Sequence, residues 1–153
     1  MQHYYYTKYL LIISAALVFC GCNHNNHLGT VVVKGTIKVD GQPVEGIEVI
    51  FSPASGDGLP AYGQTDKNGN YSLTTAGTKI GSGAVPGEFI PTFTKVLLEH
   101  DPRFIGKEDV IPPPPKVTHL IPKKYSQKET TDILPVTVLK RKTNIFDFEL
   151  SSK

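Results

Sequence analysis

Both cysteines of the chain, Cys20 and Cys22, stand two positions apart, and His24 and His27 follow them in the string C-G-C-N-H-N-N-H. Thiolates and imidazoles are good ligands for zinc and copper, so this stretch could hold a metal. It is rich in Asn, however, and brings no apolar residues to fix a cage around an ion. A disulfide at C-x-C spacing is strained, because the Cα geometry suits it poorly. A second cluster, Asp66-Lys67-Asn68-Gly69-Asn70, sets oxygens at every second position, as calcium loops do. An EF-hand needs Gly at its sixth position and Glu at its twelfth, and here those positions are Tyr71 and Gly77. A plain hairpin turn is the simpler reading. None of His3, His24, His27, His100 or His119 is followed by Glu as H-x-x-E, and no serine sits in a nucleophile-elbow pattern. The residues therefore point to a non-catalytic chain with no cofactor and no metal.

The elements around the cysteines suggest a different chemistry. Residues 1–19 read MQHYYYTKYLLIISAALVF, a short polar start with Lys8 and then an apolar run from Tyr9 to Phe19. Eleven residues are too few to span a bilayer as a helix but suit the core of a secretory signal. Phe19-Cys20-Gly21-Cys22 resembles a lipobox, the bacterial signal in which a small residue precedes the cysteine that receives a diacylglycerol thioether. The resemblance implies a signal helix over 1–21, Cys22 as the lipidated first residue of the mature chain, and a tether over 22–29. More than one acyl chain is needed for stable anchoring. Localisation follows as the cell envelope, with a membrane as the first partner. Net charge is +2, which predicts no strong overall field for nucleic acid or an anionic membrane.

From Thr30 onward the chain alternates apolar and polar residues between turn signals. Gly and Pro together make 26 residues, so turns are frequent. In TVVVKGTIKVD (30–40), Val31, Val33, Gly35, Ile37 and Val39 share one face, and Lys34, Thr36 and Lys38 the other. Asp40-Gly41 is a hairpin signal. GIEVIFSP (46–53) aims Ile47, Val49 and Phe51 one way. AYGQTD (61–66), YSLTT (71–75) and EFIPTFTKV (88–96) are further strands, with Pro91 marking an edge or a bulge. ILPVTVLK (133–140) and NIFDFEL (144–150) read as a closing hairpin around Arg141-Lys142-Thr143, with Leu134, Val136 and Val138 facing Phe146, Phe148 and Leu150 across the core. Seven such strands predict an all-β fold, an antiparallel seven-stranded β-sandwich, over 30–150.

Residues 97–130 interrupt this pattern as one long irregular insertion. Loops of that length are uncommon in a compact domain and are usually functional or mobile. Pro112, Pro113, Pro114 and Pro115 should be stiff and extended. With Lys116, Lys123, Lys124 and Tyr125 they could present a rigid, basic, aromatic edge to an envelope protein or glycan, using the 97–125 loop. The plainer reading, a stiffened loop that covers a sheet edge, is preferred.

Several strings together carry a resemblance. GTIKVDGQPVEGIEVIF (35–51), TDKNGNYSL (65–73) and VPGEFIPTFTK (85–95) are similar to the opening, the T-D-x-x-G hairpin and the P-G-x-aromatic strand of carboxypeptidase regulatory-like domains. That family implies a transthyretin-like (prealbumin-like) sandwich, which in peptidases is an accessory domain. Transthyretin-like hydrolases end in Tyr-Arg-Gly-Ser, whereas this chain ends LSSK. A covalent Lys–Asn link, as in shape-related adhesin sandwiches, would have to use Lys34 or Lys38 with Asn144. Both lysines fall on the polar face, where desolvation cannot activate them.

Overall fold

Alternation along β1 (Val33–Val39) appears in three dimensions as the sequence predicts: Val33, Gly35 and Ile37 are buried, and Lys34 and Lys38 are exposed. The computed structural model describes residues 28–106 and 109–153. The predicted signal 1–21, Cys22 and the tether up to His27 therefore lie outside the described residues. The Asp40-Gly41 turn has positive φ at both residues, 49° and 79°. It joins β1 to β2 (Gln42–Pro43) with Val39 opposite Gln42, the geometry of a two-residue primed hairpin.

β3 (Glu48–Pro53) and β4 (Ala61–Gln64) form the next antiparallel pair. The run 70–75 then divides at Leu73. β5 (Asn70–Ser72) pairs with β1, whereas β6 (Thr74–Thr75) pairs with β4, so one stretch of chain changes sheets. β7 (Gly87–Thr94) is the longest strand and lies against β3. β8 (Val96–Glu99) and β9 (Lys116–His119) form a separate two-stranded ribbon. β10 (Val136–Val138), β11 (Asn144–Ile145) and β12 (Phe148–Leu150) complete the chain. One sheet is centred on β1, which binds β11, β12, β5 and β2; the other runs β10-β7-β3-β4-β6. The fold is all-β, and each of the seven predicted runs contributes strand. Among the described residues no helix is long and apolar enough to cross a membrane.

The two sheets enclose one core built around Phe51. Its ring centroid lies 6.4 Å from Tyr71, 5.9 Å from Phe146 and 6.2 Å from Phe148, all carried by the β1 sheet. Phe89, on its own sheet, is 6.2 Å away. Val33, Ile37, Ile47, Val49, Leu73 and Phe93 fill the remaining space with no exposed surface.

Three expectations need correction. The segments 133–140 and 144–150 do not form a hairpin. β10 joins β7, and β11 and β12 cross to the other sheet and pair with β1 in parallel, so the sandwich is not wholly antiparallel. A hairpin and a crossover share the same alternation, which is why the pattern could not separate them. Leu134 is 79% exposed and takes no part in the core, because β10 begins only at Val136. Finally, the 97–130 insertion is not irregular throughout, since it contains β9, most of β8 and two 3-10 turns, at Pro102–Phe104 and Lys123–Ser126. Pro91 sits within β7 opposite Phe51, and β10 covers β7 only at Gly87–Phe89, so the missing N–H falls beyond that ladder.

Strand directions give the sandwich two distinct ends. Residues 28–32, the loop 54–60, the connection 76–86 and the turn 139–143 share one end. The Asp40-Gly41 turn, the turn 65–69, the β8–β9 ribbon and the C-terminus share the other.

Candidate interaction surfaces

The β8–β9 ribbon leaves the sandwich where β7 ends. Its register sets Val96 opposite His119 and Leu98 opposite Val117, so these four share a face. Leu97, Thr118, Glu99 and Lys116 form the other face, where Lys116 Nζ lies 3.2 Å from Glu99. Every residue of both strands is exposed. Leu120 N donates to Lys95 O and extends the ladder by one step toward the sandwich. Ile105, Val110 and Ile111 add exposed apolar surface beyond the strands, Ile111 at 95%. A monomeric domain seldom leaves a patch of this composition unpartnered, and the ribbon also offers two open strand edges. The ribbon pairs with neither sheet of the sandwich, whereas the Lys123–Ser126 turn of the same insertion packs against β7.

The predicted contact residues separate into two groups. Pro112, Pro113 and Pro114 are exposed, lie outside any strand or helix, and lead into β9 through half-buried Pro115 and exposed Lys116. Lys123, Lys124 and Tyr125 form the second 3-10 turn, which packs against β7. Tyr125 is only 3% exposed and joins the core with Ile121. Its hydroxyl oxygen accepts a hydrogen bond from Ser151 N at 3.0 Å, so it holds the C-terminus and presents no ring to a partner. Lys124 lies over that ring at 4.8 Å and donates to Asp132 at 3.0 Å, a pairing that raises its pKa above the ordinary lysine value. A sequence reading could not see that the chain turns inward at Ile121. The alternating string KVTHL (116–120) was the available signal for β9.

A groove of about 420 Å³ opens beside this turn, lined by Asp40, Asp132, Glu149 and Ser151 among others. Its acids are engaged by the fold. The side chain of Ser152, and then its backbone N–H, hold the Asp40 carboxyl below the usual range. Glu149 accepts from Gly41 N at 2.6 Å, and Asp132 accepts from Lys124. Nothing here pairs a nucleophile with a base. Among the described residues no group of three or more His, Cys, Asp or Glu is placed to hold a metal ion.

The remaining sequence candidates are structural. Asp66 accepts from Asn68 N and Asn70 N at 2.8 and 2.9 Å, and this lowers its pKa. It caps the 66–70 turn as a folding element. Asn144 is buried, and its amide bonds Leu139 N, Leu139 O and Lys142 O, while Lys34 and Lys38 point to solvent. Cys20, Cys22, His24 and His27 lie outside the described residues.

No protein-family profile matches the chain, and no curated protein matches it. Among solved structures, a candidate adhesin from Bacteroides ovatus is similar at 16% identity over 88% of this chain, with a TM-score of 0.42. The chain spans about half the length of that protein, 49% of it.

Proposed function

We propose that the chain is a non-catalytic binding module of the cell envelope, a carboxypeptidase regulatory-like sandwich held to a membrane by acyl chains on Cys22. It contacts a partner protein through the β8–β9 ribbon. The exposed apolar ribbon carries this reading. It projects from the end of the sandwich opposite Leu28, so a chain tethered through residues 22–27 would hold it away from the membrane. The Phe19-Cys20-Gly21-Cys22 string supports the anchor, and the order of the turn and strand motifs supports the family. A protein partner suits the ribbon better than a glycan, because aliphatic side chains and open strand edges are what β-strand addition uses.

Two measurements test this. Intact mass of the chain from native membranes should show a diacylglyceryl-sized increment that Cys22→Ala removes and Cys20→Ala leaves in place. A photo-crosslinker at Leu97 or Leu98 should give a discrete adduct in intact cells, and Leu98→Lys with Val117→Lys should abolish it. Equal adducts from a crosslinker at Tyr62, on the outer face of the other sheet, would refute the assignment to the ribbon.

A further inference from the structure

The opposite end of the sandwich carries a feature that the ribbon does not explain. Lys79, Lys140, Arg141 and Lys142 are exposed on its two loops, and Lys34 follows on the outer face of β1 opposite Ile145. None of these five cations forms an ion pair with a described residue. The carboxylates near this end are Asp57, Glu88 and Asp147, the last turned to Thr36, so the five cations outnumber them. Exposed apolar side chains occur at the same end. Ile80 is 91% exposed at the tip of its loop, and Leu28, Val32, Leu139 and Ile145 are also exposed.

Both loops are held in place from within. Asn144 binds the backbone of the 139–142 turn on both sides, and Arg141 takes a positive φ of 61° there. Thr74 Oγ1 accepts from Gly81 N at 2.8 Å, and Thr75 Oγ1 donates to Gly83 O at 2.9 Å. Ile80 and Lys79 are therefore presented on a braced turn. A Cβ on Gly83 would lie 1.7 Å from Val31 O, so the loop is packed directly against the segment that leaves Leu28.

We propose that this end is a docking face for an anionic phospholipid surface. Cations and protruding aliphatic side chains on one end are the chemistry of interfacial binding, with the apolar tips entering the headgroup boundary and the charges meeting lipid phosphates. Residues 1–27 join the domain at this same end, which brings the face against any membrane to which they lead. The proposal deepens the anchored reading above. Docking fixes the long axis of the sandwich upright and points the ribbon outward.

The test uses the acylated full chain in vesicles of phosphatidylcholine alone or mixed with phosphatidylglycerol, with lysine acetylation read by mass spectrometry. Lys79, Lys140 and Lys142 should be protected severalfold on the anionic vesicles only, and Lys116 and Lys123 on neither. Protection should vanish near 0.5 M salt, where the Debye length falls to about 4 Å. Lys140→Glu with Lys142→Glu should also remove it. Equal labelling on both vesicles, or equal protection on both, overturns the proposal. Salt-sensitive cosedimentation of full-length Cys22→Ala with the anionic vesicles reads the face without the anchor. If native chain carries no acyl mass yet this variant still binds, the anchor fails and the docking face stands.

Discussion

Gly35→Ala tests the account of how the final segment is held against β1. Gly35 lies in the middle of β1, opposite Tyr71. A Cβ there would lie 1.8 Å from Phe146 O and 2.6 Å from Phe146 C. Carbon and carbonyl oxygen approach to roughly 3.3 Å at closest, so Phe146 would have to retreat by roughly 1.5 Å. That carbonyl accepts from Tyr71 Oη at 2.8 Å, and Phe146 N donates to Lys34 O at 3.0 Å. The next residue, Asp147, accepts from Thr36 N at 2.7 Å and from Thr36 Oγ1 at 2.8 Å, bridging the gap between β11 and β12. Retreat strains all four bonds. Losing two of them costs about 2–4 kcal/mol, and disturbed packing of Phe146 against Phe51 adds about 1 kcal/mol. The lower chain entropy of Ala returns about 0.5–1 kcal/mol. The expected net loss is about 3 kcal/mol, a large share of the roughly 5–15 kcal/mol of an ordinary domain. Equilibrium urea unfolding followed by far-ultraviolet circular dichroism measures it. A loss below about 1 kcal/mol would refute the reasoning, since Ala improves strand propensity and only the clash opposes it. A double-mutant cycle sharpens the test: Tyr71→Phe should cost about 1 kcal/mol alone and less in the Gly35→Ala background, where its bond is already disturbed.

Other substitutions probe the remaining elements. Phe51→Ala should cost about 3–5 kcal/mol in the same unfolding experiment, because it empties the space shared by rings from both sheets. Asn144→Ala should cost about 2–3 kcal/mol, since backbone groups of Leu139 and Lys142 lose their partner; hydrogen exchange at Leu139 N should accelerate in step. Tyr125→Ala should lower the unfolding midpoint, whereas Leu98→Lys should leave it within the range of ordinary surface changes; the opposite ranking would return Tyr125 to the contact surface. Asp66 has a folded pKa below its unfolded value, because Asn68 and Asn70 amides bind its charged form. Its contribution is thus present above pH ~4 and is lost as pH falls through the folded pKa. Asp66→Asn should flatten the acid limb of a stability–pH curve in that window, and an unchanged slope would show that the turn does not depend on the charge.

Local patterns made much of the fold legible. Alternation at Val33, Ile37, Val49 and Phe51 named core residues, and Asp40-Gly41 named a turn type, because each depends on side-chain period or on φ at one residue. Asp66 was readable as a turn cap for the same reason. Leu134 was misplaced because alternation does not say where pairing begins. The β8–β9 ribbon was missed because each of its strands is four residues long, and prolines dominate the sequence between them.

Sequence alone determined that this chain forms strands, where most of its turns fall, and that its cysteines sit in a lipobox-like string. Those properties are set within a few residues, by steric limits on the backbone and by the period of the pleat. Tertiary structure decided which strands are neighbours, and so sent the final segment across to β1 in parallel. It also decided where charge collects. A net charge of +2 predicts little, yet folding gathers Lys79 and the unpaired 140–142 cations at one end, whereas at the other Lys116 and Lys124 are paired with Glu99 and Asp132. Electrostatic attraction falls off within about 8 Å in physiological salt. A surface therefore responds to the charges that face it, and that arrangement exists only once the sheets have closed.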